Sequence, residues 1–234
     1  MNREVLLRRH SGLWRRRSGR GAFGGVGCVG VAVLGQRAES AVMAEVRVPA
    51  PAKLICGLLL ARGVEAAGVE AELEVAFGPI EERSECFDFD RFTSYYEEEM
   101  GPGLSRKFVS FCGLKNQESL AEFKRRAYAV EELFRHKDRE PIRPVNLDPG
   151  LVFPGKLILA SAKDGPQRVP LGSGFFGEVT LFFKKDGISA LPWTYPDYAS
   201  GVYNGFLLKV RRRCIEETQA WKAGEADAPG TRES

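Results

Sequence analysis

The sequence predicts an α+β (mixed α/β) fold, a single sheet of about five to seven strands with three main helices packed on it. Three observations point there. Several apolar runs have strand length and are bounded by Pro or Gly. One long stretch repeats apolar residues at steps of three and four. The two kinds of segment alternate with short connections, so neighbouring elements pack together.

Lys53–Leu60 lies between Pro51 and Gly63 and is apolar nearly throughout, the pattern of a strand buried on both faces. Glu65–Phe77 carries Val69, Leu73, Ala76 and Phe77 at helical spacing, and Gly78-Pro79 stops it. Cys86–Asp90 alternates Phe and Asp, the period-two pattern of a half-buried strand. Ser94-x-x-Glu97 reads as a capping box opening a short helix closed by Gly101-Pro102-Gly103. Arg106–Cys112 reads as a strand with Phe108 and Phe111 in the core.

Gln117–Lys137 is the clearest helix, with Leu120, Phe123, Ala127, Val130 and Phe134 on one stripe. Glu122–Arg126 and Glu131–Arg135 are expected to pair on its wet side. Lys156–Ser161 and Phe175–Phe183 read as strands, and Lys184-Lys185-Asp186-Gly187 as a turn. Asp197 is placed to cap a last helix running to about Trp221, with Tyr203, Phe206, Val210 and Cys214 inward.

Charge divides the chain. Lys and Arg number 34 against 31 Asp and Glu, a formal net charge of +3. Residues 1–42 hold eight Arg against two acids, so the remainder is mildly acidic. The expected organisation is a disordered or non-native extension over 1–42, one domain over 43–222 and a disordered tail over 223–234. Three readings of the leader compete: a signal peptide, a transit peptide, or an extension upstream of a start at Met43. The third is preferred, because the apolar stretch Ala22–Gly35 is glycine-rich and Arg37 and Glu39 spoil a cleavage region. A basic-patch case for nucleic acid would rest on this leader alone, so no nucleic-acid partner is expected.

Composition is globular, with 44% hydrophobic and 28% charged residues, which excludes collagen, a polar disordered chain and a multi-span membrane protein. The five Cys and two His are scattered without metal-ligand spacing, so neither a disulfide framework nor a zinc site is expected. The expected setting is the reducing cytoplasm, with no cofactor.

Four motifs invite a chemical reading. Gly25-x-Gly27-x-x-Gly30 matches the dinucleotide fingerprint but lacks the strand before it and the helix after it. Gly172-Ser173-Gly174-Phe175-Phe176-Gly177-Glu178-Val179 matches a kinase glycine-rich loop, yet no H-R-D or D-F-G follows, and no G-x-x-x-x-G-K-[ST] phosphate loop exists. It reads as a glycine-rich turn entering a strand. Asp88 and Asp90 share a strand face with Glu97 or Glu98 nearby; a wet face is preferred to a metal site. Asn146-Leu147-Asp148-Pro149-Gly150 reads as a turn in which Asp148 is a turn cap or a ligand group.

Glu178 is the one acid among apolar neighbours on its strand, and Lys163 and Arg168 on the preceding connection are available to it. The group is a structural ion pair or an anion site. Trp193-Thr194-Tyr195-Pro196-Asp197-Tyr198 places three aromatics at a helix start, where they line a pocket, form an interface or seal a core.

Phe89-Asp90, Tyr95-Tyr96-Glu97-Glu98-Glu99-Met100-Gly101, Asn146–Gly150, Glu178-Val179-Thr180-Leu181 and Trp193–Tyr198 together resemble the domain-of-unknown-function family numbered 4416. The likeness spans about Lys53 to Arg213. Members are small bacterial proteins, often labelled GTP-binding, and the resemblance implies a start near Met43. The family's Lys-Asp and following Arg correspond to Lys163-Asp164 and Arg168, while Gln167 stands where the family has His, and Leu151 where it has an aromatic.

The expected function is binding of a small polar or anionic ligand, nucleotides and GTP included, at Lys163, Arg168, Glu178, Tyr195, Asp197 and Asp148. The alternative is a non-catalytic interaction or regulatory protein using the aromatic segment 193–198. The sequence specifies neither a reaction nor an oligomeric state.

Overall fold

A computed structural model describes residues 48–226 except 139. Those residues belong to the unit Arg47–Ser234. The leader, its glycine motif and the end of the tail lie outside the described residues.

At the centre stands β1, Ala52–Leu60, buried at every position as its unbroken apolar run requires. It pairs antiparallel with β4 (Ser105–Lys115) on one side and β5 (Val145–Val152) on the other. Beyond β5 come β6 (Lys156–Ser161), β8 (Phe175–Lys184) and β7 (Val169–Gly172), and β2 (Ile80–Arg83) closes the other edge. Two short strands share those edges: β3 (Phe87–Asp88) pairs with β4, and β9 (Gly187–Ala190) with β8. The sheet thus has nine strands, all paired antiparallel, more than expected. The strands not expected are β2, β7 and β9, four residues each and too short to show a period, and β5, whose Asn-Leu-Asp-Pro-Gly stretch has the composition of a turn.

Helices cover both faces. On one, α1 (Ala66–Phe77) and α3 (Leu120–Leu133) seal Leu54, Cys56, Leu58 and Leu147 with Leu73, Phe77, Phe123 and Ala127. A one-turn 3-10 segment, Gln117–Ser119, precedes α3. On the other, α5 (Asn204–Ala226) packs Phe206, Leu207 and Val210 against Ile55, Phe108 and Leu181. The Phe108 ring lies 4.6 Å from that of Tyr203 and 5.7 Å from those of Tyr198 and Phe206. Each such side chain contributes about 1.5–3 kcal/mol by leaving water. Among the described residues no helix is long and apolar enough to cross a membrane.

Several local expectations need correction. The stretch Asn146–Gly150 is not a turn but the middle of β5, where Gly57 of β1 faces Asp148 and Cys56 faces Pro149. Proline is tolerated because β5 pairs with β6 only over Gly150–Val152, so on that side Pro149 has no ladder bond to lose. The capping box does not form. The helix α2, Glu97–Met100, begins later with Tyr96 at its N-cap and no side-chain cap.

Asp197 sits in the first turn of a separate short helix, α4 (Pro196–Ala199), and does not cap α5. Glu131 turns inward to Arg143, and Arg135 pairs with Glu132 instead. The final helix continues through 223–226, residues read as the start of the tail. Cys56, Cys86, Cys112 and Cys214 are all free.

Candidate functional site: a cavity where the sheet comes unzipped

The end of β5–β6 pairing creates the site. Gly150 and Leu159 are the last partners. A Cβ at Gly150 would stand 2.6 Å from Leu159 Cδ2 and 2.8 Å from the Ile158 carbonyl, so only glycine lets the strands approach there. Past that point Val145–Pro149 stays on β1, while Ala160 and Ser161 stay on β8. A cavity of about 430 Å³ is lined by both parted segments, with Asn146 and Asp148 from one and Ala160 and Ser161 from the other.

Its floor is a charged network assembled from four elements. Arg106 of β4, 4% exposed, donates from Nη1 to Asp148 Oδ2 at 2.9 Å. Gly57 makes this possible, because a Cβ there would lie 3.1 Å from Arg106 Nη1. Lys124 arrives from α3 and donates to the Leu147 carbonyl at 2.6 Å, with Asp148 Oδ1 at 3.5 Å. Asn146 Nδ2 donates to Asp148 Oδ2 at 3.0 Å. From α4, Asp197 Oδ2 stands 3.9 Å from Arg106 Nε and accepts from the Tyr203 hydroxyl at 3.1 Å. Arg143 closes one end, pairing with Glu131 at 2.7 Å and Glu99 at 2.9 Å and donating to Asn146 Oδ1 at 2.6 Å.

Electrostatics separates the carboxyls. Burial pushes Asp148 upward, but Lys124 and Arg106 outweigh it and hold its carboxyl below the usual value. Asp197 is raised by burial, which Arg106 and the Tyr203 hydroxyl do not fully offset. Glu131 is likewise raised by burial against Lys124 and Arg143. Tyr96 is pushed up to about 12, by burial and then by Asp148. Two polar atoms in the floor, Arg106 Nε and the Tyr198 hydroxyl, are buried without a hydrogen-bond partner among the described residues. Native proteins leave few such atoms, and each calls for a physical explanation.

The mouth is built from the Lys163–Arg168 connection and two tyrosines. Arg168 donates from Nε to Glu178 Oε2 at 2.9 Å, from Nη1 to the Lys163 carbonyl at 2.6 Å and from Nη2 to the Tyr195 hydroxyl at 2.7 Å. Gln167 adds a second donor to the same Glu178 oxygen at 3.1 Å. Lys163 Nζ donates to the Tyr95 hydroxyl at 2.6 Å. Beyond Arg143 and Tyr128, which border both, lies a more open hollow of about 540 Å³ lined by Glu98, Glu99, Glu131, Glu132 and Glu140.

Of the six expected site residues, Lys163, Arg168, Tyr195, Asp197 and Asp148 line the one cavity. Glu178 does not line it; it stands 2% exposed behind Arg168. Sequence reasoning missed Arg106, Lys124, Arg143, Tyr96 and Tyr128. One signal existed: Lys124 and Glu131 are seven residues apart, two turns along one helix face, beside the apolar stripe. The Gly172–Gly174 loop is the β7–β8 hairpin turn, with Ser173 at φ 55°. Asp90, weighed as a metal ligand, accepts from the backbone N–H of Gly103 and Leu104 instead. Among the described residues no group of three or more His, Cys, Asp and Glu is placed to hold a metal.

Fold and cavity together define a mixed helix-and-strand domain with a polar, tyrosine-lined hollow opened within an antiparallel sheet. The family described as Domain of unknown function (DUF4416) matches residues 50–214, more than half of the chain, and the protein belongs to that family. No curated protein and no solved structure matches it.

Proposed function

We propose that the protein binds a small anionic molecule bearing a flat ring in this cavity, with nucleotides, GTP among them, the first class to test. The observation that carries the reading is the convergence of cationic side chains and tyrosines on one hollow whose floor leaves two buried polar atoms without partners. A volume of about 430 Å³ suits a metabolite-sized ligand. The tyrosines offer ring faces, and the cations offer charge-assisted donors. The reading assigns binding and no reaction.

The aromatic segment 193–198 supports this function better than a partner surface. Tyr198 is 3% exposed and packed on Phe108, and the Tyr195 hydroxyl is engaged by Arg168. Only Trp193, 42% exposed and with its indole N–H on the Val179 carbonyl, turns substantially outward without a cavity role.

The test is a thermal-shift screen of the full chain against nucleotides and phosphorylated metabolites, followed by calorimetry. Ala162→Trp adds bulk to the cavity wall while leaving the polar contacts in place, so it is expected to abolish any shift. A ligand that binds the variant as tightly as the parent removes this cavity as its site, and no shift with any nucleotide removes that ligand class.

A further inference from the structure

The cations of the wall are not equivalent. Arg106 touches Asp148 and has Asp197 nearby, Lys124 approaches Asp148, Arg143 touches Glu131 and Glu99, and Arg168 touches Glu178. Each already has a carboxylate within 4.0 Å. Lys163 has none among the described residues. Its ammonium meets only the Tyr95 hydroxyl at 2.6 Å and that ring's face at 4.6 Å. An ammonium has three donors, so two remain for a ligand. Arg168, by contrast, spends Nε, Nη1 and Nη2 on Glu178, the Lys163 carbonyl and Tyr195. That guanidinium holds the Lys163 segment in place and is a positioning residue.

The floor of the cavity has the other character. Asp148 and Asp197 present carboxylate oxygens there, and beyond Arg143 the neighbouring hollow is lined by five glutamates. Arg106 and Lys124 are already drawn to these carboxylates, whose oxygens accept from hydroxyl or amino donors.

Resting on the binding reading above, we infer that the ligand lies with its two ends distinguished: a phosphate or carboxylate group at the mouth on Lys163, and an uncharged end rich in O–H or N–H donors toward Asp148 and Asp197. This makes Lys163 the residue that selects for the anionic group. Nucleoside monophosphates fit this polarity, with the phosphate outward and the sugar or base inward.

The test uses calorimetry on the full chain with guanosine and adenosine, their 5′-monophosphates and the matching 5′-carboxylates. The wild type is expected to bind an anionic form at least about tenfold more tightly than its parent nucleoside. The 5′-phosphate and 5′-carboxylate arms show which group the mouth takes. In Lys163→Ala the preference for the anionic form over its nucleoside is expected to fall below about threefold, and Lys163→Arg is expected to keep it. Lys163 is exposed, so these variants fold. Equal wild-type affinity for charged and uncharged forms, or a preference that survives Lys163→Ala, overturns the inference while leaving the binding reading in place. A wild type that binds no member of the panel overturns the inference and removes these nucleotides from the binding reading as well.

Discussion

Two buried cations sit on neighbouring strands of the same sheet, and they differ in how completely they are answered. Lys53 on β1 is 0% exposed, and its ammonium has Glu81 and Glu217 each at 2.8 Å. Arg106 on β4 is 4% exposed, with Asp148 at 2.9 Å, Asp197 only at 3.9 Å and its Nε unpartnered. Lys53 lies under α5, where its partner Glu217 ties the helix to the sheet. Arg106 lies where β5 and β6 part. The contrast teaches that burial of a charge does not by itself mark a site. A fully paired cation beneath a helix is a fastening; an incompletely paired one beside a hollow leaves bonding capacity to use.

The largest expected effect breaks the comparison at Arg106. Arg106→Ala strips Asp148 and Asp197 of their shared cation and should cost about 3–5 kcal/mol in chemical denaturation. A loss below about 1 kcal/mol would mean the floor relaxes freely and the contrast has no energetic content. Lys53→Met keeps the buried stem and removes the charge. Glu81 and Glu217 are 11% and 33% exposed at the side chain and can turn to water, so the expected loss is smaller, about 1–3 kcal/mol. A loss exceeding that of Arg106→Ala would reverse the assignment of the two roles.

The finest test separates the two floor aspartates by pH. Asp148 is lowered in the folded state, so its ionised form stabilises above the unfolded value near 3.9, and that contribution fades as pH falls through the folded value. Asp197 is raised, so its contribution is full below the unfolded value and is lost as pH rises through the folded one. At pH 7, Asp148→Asn should therefore cost about 1–2 kcal/mol and Asp197→Asn less, with the gap narrowing toward pH 4. Denaturation at the two pH values decides, and a gap that widens on acidification contradicts the electrostatic account.

The legible parts of the molecule were those with a local signal. The unbroken run of β1 and the stripe of α3 announced themselves because burial on two faces and on one face leave different periods. The mouth residues were also legible, because a lone Glu178 among apolar neighbours requires a nearby cation, and Arg168 supplies it. The floor was not. Asp-Pro-Gly has turn composition, and only the early end of β5–β6 pairing lets Pro149 stay in a strand. Arg106 needs the empty space of Gly57 two positions along the neighbouring strand, a relation that exists only once the register is known. Lys124 and Arg143 acquire their roles only where β5 brings Asp148 and Asn146 to them.

The close approach at Gly150 works as the stop on a zipper. Side chains alternate faces along a strand, so sliding β6 by one residue would turn Leu159 to the opposite side and shift the opening with it. The depth of the hollow is therefore locked to strand register. Lining residues can be exchanged to alter what fits while the parting of the strands stays in place, which makes this seam a durable socket with a replaceable lining.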